Sequence, residues 1–238
     1  MLNTSLMKWM FLTMTLLSSQ AQSNECVILL HGLARSDSSM KTLSIALEKA
    51  GYQTVNMGYP STKHNIEKLA QDTIVKALSS CPDASKIHFV THSMGGILVR
   101  QYLSKNTVKN LGRVVMLGPP NKGSQIVDKL GNMPGFELIN GPAGSQLGTG
   151  TQSVPNILGA VDFELGVIAG TRSFNPLLSS IMPQPNDGKV SVESSKIGGM
   201  TAHIELPVTH TFMMNRKLVI DQVLHFLAKG LFLNSVTK

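Results

Sequence analysis

The sequence is short of charge, of cysteine and of long apolar runs, and each shortage removes a class of protein. Charged residues make up 15% of its 238 positions and hydrophobic ones 42%, which excludes a chain held open by self-repulsion and describes a globular one. No metal-ligand cluster and no nucleotide-binding fingerprint appears, so no cofactor is implied. Lysine and arginine outnumber the acids 21 to 14, a formal charge of +7. The basic residues are scattered and no nucleic-acid motif accompanies them, so nucleic acid is not an expected partner. The balance describes a solvated basic surface with weak attraction to anionic membranes. Nothing in the sequence speaks to oligomeric state.

The apolar run Trp9–Leu17 is too short to span a bilayer as a helix. Lys8 ahead of it and Ser19-Gln20-Ala21 behind it complete the pattern of a signal peptide over residues 1–21, with an uncleaved membrane anchor as the alternative. Cleavage would remove one lysine and no acid, leaving +6, and would remove the single tryptophan, Trp9. The remaining chain, 22–238, is expected to be periplasmic or secreted. Its two cysteines, Cys26 and Cys81, are an even count in an exported chain and suggest one disulfide, the alternative being two buried thiols.

From Cys26 onward, short β-branched runs alternate with helical periodicity. Cys26–Leu30, Gln53–Met57, Ile87–Val90, Arg113–Leu117, Leu165–Ala169 and His203–Val208 read as strands; Ser38–Ala50, about Asn65–Ser79, Gly95–Leu103 and about Asn215–Lys229 read as helices. That rhythm implies βαβ units: an α/β fold with a compact, mostly parallel sheet of about six strands flanked by helices. It lapses over residues 119–160, where glycine and proline are frequent between apolar residues such as Ile126, Leu130 and Phe136. An insertion of this length is expected to form a cap or one wall of a pocket, or else a packed irregular loop.

The most informative stretch is Thr91-His92-Ser93-Met94-Gly95-Gly96. A strand enters it and a helix leaves it, so Ser93 sits on a sharp strand-to-helix turn that exposes its hydroxyl, the nucleophile-elbow form of G-x-S-x-G. Gly95 satisfies the need for a small residue two positions on; Thr91 stands where glycine is common, a departure. The amide of Met94, at a helix N-terminus, is a candidate oxyanion donor. His31-Gly32-Leu33 follows the first core strand, making Leu33 the candidate second donor, with His31 expected to hold that loop by hydrogen bonds.

A serine hydroxyl needs a base. Of seven histidines, His210 is the one in a loop after the last strand, and His203, at that strand's start, is the runner-up. Asp187, in Asn186-Asp187-Gly188 after the fifth strand, is the preferred acid. Glu193 and Glu205 are alternatives, and an ordinary turn aspartate is the competing explanation for Asp187.

On these residues, and on Gly118-Pro119-Pro120-Asn121-Lys122-Gly123-Ser124, the chain resembles the lipase/esterase group of the α/β-hydrolase superfamily, in particular its small exported bacterial members. The resemblance spans most of residues 22–238. It implies a serine hydrolase cleaving carboxylic esters, lipids among them, with Ser93, His210 and Asp187 as triad and the amides of Leu33 and Met94 as oxyanion hole. The same residues could serve an acyltransferase or cleave thioesters or amides, or the fold could be a non-catalytic binding module.

Overall fold

The structure, a computed structural model, describes residues 24–233; the expected signal peptide at 1–21 lies outside them. Six strands, β1 (Glu25–Leu30), β2 (Gln53–Met57), β3 (Lys86–His92), β4 (Leu111–Leu117), β5 (Leu165–Gly170) and β6 (Ala202–Leu206), form one sheet in the order β2-β1-β3-β4-β5-β6. Every neighbouring pair is parallel. The helices between them are α1 (Lys41–Lys49), α2 (Ile66–Ser79), α3 (Met94–Leu103), α4 (Gln125–Leu130), α5 (Phe136–Ser145) and α6 (Val154–Ile157). Two short ones, α7 (Pro176–Ser180) and α8 (Val192–Ser195), follow β5, and α9 (Lys217–Lys229) closes the described chain.

Period-two alternation sorts the strand side chains onto two faces. Ile28, Leu30, Phe89, Val114 and Met116 pack with Ile66, Leu69 and Ile74 of α2 and Ile97 and Leu98 of α3. Val27, Leu29, Val90, Val115 and Leu117 pack on the other side with Leu43 and Leu47 of α1 and Val219, Val223 and Phe226 of α9. The inner strands are covered on both faces, which is why Cys26–Leu30 is a continuous apolar run. All six expected strands are present, with ends shifted by a few residues. β6 stops at Leu206 because Pro207 has no N–H to pair, and the Val208 N–H turns back onto the Leu206 carbonyl at 2.7 Å.

The stretch 119–160 holds α4, α5 and α6. Its helical signal is broken by Gly141, which interrupts α5 at φ 65° and ψ −177° ahead of Pro142. Buried Arg100 of α3 fastens both ends of this insertion. Its guanidinium donates to the Asn121 carbonyl (3.0 Å) at one end and to the Pro155 and Gly159 carbonyls (2.8 Å each) at the other. Burial lowers that guanidinium to about 10.

Cys26, at the start of β1, is bonded to Cys81, just past α2, with Cα atoms 6.1 Å apart and a separation of 55 positions in the sequence. Both are buried, so the bond ties the sheet's amino-terminal edge to the far end of α2. Closing a loop of this length restricts the unfolded chain. The Cys26→Ala/Cys81→Ala variant is therefore expected to lose about 2–4 kcal/mol of stability, seen as a lower denaturant midpoint; an unchanged midpoint would contradict this.

Candidate active site

The carboxyl ends of parallel strands are where such sheets place ligands, and the candidate residues gather there. β3 turns directly into α3 at Ser93, whose φ of 54° and ψ of −123° are rare for a residue with a side chain. The turn is held from several sides. The Ser93 N–H donates to the Leu117 carbonyl of β4 at 2.8 Å. Gly95 lies against the end of β1: a Cβ there would sit 2.7 Å from the Leu30 carbonyl oxygen and 2.9 Å from that of His31. The departure at Thr91 is accommodated by the second glycine. Thr91 is fully buried, and a Cβ on Gly96 would stand 3.2 Å from its hydroxyl oxygen and 2.9 Å from the Met116 sulfur.

The half-buried Ser93 Oγ lies 3.0 Å from His210 Nε2, and His210 Nδ1 lies 2.7 Å from Asp187 Oδ2. The Asp187 carboxylate is buried; its other oxygen accepts the N–H groups of Lys189 (2.9 Å) and Val190 (2.8 Å). With Nδ1–H directed at a carboxylate, His210 Nε2 is left to accept from the serine hydroxyl. The main chain reinforces the arrangement: the His210 N–H donates to the Asp187 carbonyl at 3.0 Å. The His92 Nε2–H donates to the His210 carbonyl at 2.9 Å. His92 is fully enclosed, and burial first, then neighbouring His210, holds its imidazole well below the usual range.

Gly118, at φ 55°, occupies the space beside this chain, since a Cβ there would stand 2.9 Å from Asp187 Oδ2 and 3.1 Å from His210 Nδ1. The sequence marks it only as the glycine of a Gly-Pro-Pro strand end. The other acid and base candidates lie elsewhere. His203 bonds Ser195 Oγ at 3.0 Å; Glu193 is exposed and pairs with Lys122 and Lys196; Glu205 is exposed on β6.

The loop after β1 faces Ser93. His31 donates from Nδ1 to the Gly32 carbonyl (2.8 Å) and accepts the Tyr59 N–H at Nε2 (3.4 Å). Its ring stacks on Tyr59 at 4.0 Å between centroids, and the Tyr59 hydroxyl donates to the His31 carbonyl. The Ala34 N–H donates to Ser61 Oγ at 3.0 Å. Tyr59 and Ser61 thus brace a loop whose support the sequence does not reveal. Among the described residues neither the Leu33 N–H nor the Met94 N–H has a hydrogen-bond partner, so both are open to an acceptor.

A cavity of about 430 Å³ opens onto Ser93, His210 and Leu33, within the usual size range of small-molecule sites. The insertion forms one wall of it through Ile126, Val127, Leu130, Phe136 and Ile139. Among the described residues, no group of three or more His, Cys, Asp or Glu side chains is placed to hold a metal ion.

No protein-family model matches the chain, and no curated protein matches it in sequence. Solved structures do match. The mature form of a lipase from Bacillus licheniformis superposes with a TM-score of 0.65 at 18% identity, over 87% of this chain and 91% of the lipase. Lipase B of Aspergillus fumigatus gives 0.65 at 14%, over 90% of this chain and 55% of its own. A metagenomic carboxyl esterase gives 0.60 at 20%, over 79% and 65%. The chain has the α/β-hydrolase fold of these lipases and esterases.

Four histidines in this framework are disfavoured as cations by burial. His31, His88 and His92 lie below the ordinary imidazole value, and His203 falls to about 4. A lowered folded-state pKa means that the unfolded chain binds more protons in acid. Stability should therefore fall as pH drops through about 6.5, the unfolded value, and keep falling toward the folded values. The urea midpoint is expected to be lower at about pH 5 than at about pH 7.5, a window above most carboxylate titration, and His203→Gln should shrink the difference. A flat or rising midpoint toward acid would contradict this.

Proposed function

We propose that this protein is an exported carboxylic ester hydrolase, acting on esters with apolar acyl groups, lipids among them, through an acyl-enzyme on Ser93. The observation that carries this reading is the chain of hydrogen bonds from Ser93 Oγ through His210 to buried Asp187, set on a backbone turn that holds the serine at positive φ. A Ser-His contact whose imidazole is oriented by a buried carboxylate, beside two open amides, supports a reading as nucleophile, base and oxyanion site.

In this reading Ser93 Oγ attacks the ester carbonyl carbon while His210 Nε2 takes the hydroxyl proton. Negative charge moves onto the carbonyl oxygen, where the N–H groups of Leu33 and Met94 receive it, aided by the positive end of α3. Asp187 keeps Nδ1–H oriented and stabilises the imidazolium without taking the proton. As the tetrahedral intermediate collapses, the bond to the alcohol oxygen breaks and His210 gives that oxygen its proton. A water molecule then transfers a proton to His210 as it attacks the acyl carbon. The second collapse releases the acid and returns the proton to Ser93. The apolar wall supplied by the insertion suits the acyl group, which loses contact with water as it enters. The lipase and esterase neighbours support the same substrate class at the level of fold.

Export rests on the signal-like residues 1–21 and on the Cys26–Cys81 disulfide, a bond that persists in oxidising compartments. N-terminal sequencing of protein recovered outside the cytoplasm should give a start at Gln22, and a retained Met1 would contradict cleavage.

Kinetics on p-nitrophenyl esters test the mechanism. Ser93→Ala and His210→Ala are each expected to lower kcat about a millionfold, and Asp187→Asn about ten-thousandfold, with the folded state preserved by circular dichroism. Turnover persisting in Ser93→Ala would overturn the assignment.

A further inference from the structure

The side chains around the cavity divide by chemistry. Leu33, Ile126, Val127, Leu130, Phe136 and Ile139 make it apolar, yet two cations, Arg35 and Lys189, also line it and no aspartate or glutamate does. They arrive from different loops. Arg35 follows the Gly32-Leu33 turn, and its guanidinium donates to the Thr211 carbonyl at 3.0 Å, which holds it beside His210 with most of its five donors uncommitted. Lys189 lies two residues past Asp187, and its main chain is fixed on both sides. Its N–H donates to Asp187 Oδ1 at 2.9 Å, and its carbonyl accepts the Ser124 hydroxyl at 2.8 Å.

The Lys189 ammonium itself has no hydrogen-bond or ion-pair partner among the described residues. The nearby carboxylate, Asp187, already commits both oxygens to His210 and to two N–H groups. Lys189 is an exposed residue lining the cavity. The protein around it first, and the charge on Arg35 second, hold its ammonium below the ordinary value, against the opposing pull of the Asp187 carboxylate. The two cations also act together on His92, each disfavouring its protonation. The two like charges line one cavity and repel each other. Asp187 offsets part of the charge on Lys189, and no carboxylate among the lining residues offsets the rest, so their field is one that an anion would relieve.

We propose that Arg35 and Lys189 form an anion-binding site at the mouth of this cavity, selecting amphiphilic esters whose alcohol portion carries a phosphate or carboxylate. The acyl chain enters the apolar cavity, the ester carbonyl meets Ser93 and the open amides, and the charged alcohol remains at the mouth between the two cations. Guanidinium and ammonium differ in geometry: the former suits a planar or tetrahedral oxyanion through paired donors, the latter acts as a point charge. The inference rests on the ester-hydrolase reading and adds the class of alcohol it prefers.

Three esters with the same decanoyl acyl group test it: monodecanoylglycerol, monodecanoylglycerol 3-phosphate, and the decanoyl ester of glyceric acid. Each is used below its critical micelle concentration, so that attraction to a charged lipid surface plays no part. The readout is the ratio of kcat/KM for each anionic ester to that for the neutral one. In the wild-type protein at least one ratio is expected to exceed about tenfold, and the larger of the two identifies phosphate or carboxylate as the group bound. Lys189→Met should lower that ratio about tenfold, Lys189→Glu should bring it below unity, and added salt should reduce it in the wild type. Lys189 is the residue varied because Arg35 also holds the Thr211 carbonyl. Hydrolysis of all three esters with ratios near one, unmoved by Lys189→Glu, would overturn the anion site and leave the ester hydrolase standing. Failure of folded wild-type protein to hydrolyse any of them would overturn both.

Discussion

The backbone at Ser93 is the constraint from which the site's layout follows. A residue with a side chain at φ 54° sits outside the ordinary basins, at a cost of about 1–3 kcal/mol. That cost is borne because β3 and α3 are both deeply packed and leave the chain no relaxed path between them. Gly95 lets α3 close against β1, and Gly96 makes room for Thr91 and Met116. The result is a hydroxyl projecting from the sheet's carboxyl edge, beside a helix N-terminus whose first N–H has no partner among the described residues. The strands on either side then deliver the remaining groups. The loop after β1 brings Leu33, the loop beyond β5 brings Asp187, and the loop after β6 brings His210.

Each of these loops is fixed by contacts with another. His92, next to the serine in sequence, holds the His210 carbonyl; Arg35 holds the Thr211 carbonyl; and the Asp187 carbonyl accepts the His210 N–H. The insertion is likewise tied down at its ends by Arg100, while its middle presents Met133, Leu138 and Ile139 largely exposed. The cavity therefore has a rigid polar side, built on the sheet, and an apolar side built on the insertion. That division suits a ligand with a polar reacting group and an apolar tail.

Much of this was legible in the sequence because local signals and chain order agree. Strands with β-branched runs and helices with clean apolar stripes gave the sheet and its flanking layers. The order of an elbow serine, a loop aspartate and a histidine after the last strand singled out the three side chains that meet. What stayed hidden depends on contacts distant in sequence. Tyr59 stacked on His31 reads locally as a loop tyrosine, and Arg100 reads as the polar face of a helix. Arg35 and Lys189 are 154 residues apart in the numbering, and no pattern along the chain predicts that they share a cavity. The helices within 119–160 escaped notice because glycine and proline break their period. His203, the runner-up base, lies on the strand whose far end leads to His210, so its distance from Ser93 follows from strand direction.

The central claim is that Ser93 is a nucleophile that becomes covalently acylated. Its most direct test is to treat the folded protein with a fluorophosphonate and locate the adduct by peptide mass spectrometry. The account requires one adduct per chain, on the peptide carrying Ser93, with labelling slowed when His210 is replaced by alanine. An unmodified folded protein, or an adduct on a different serine, would contradict it.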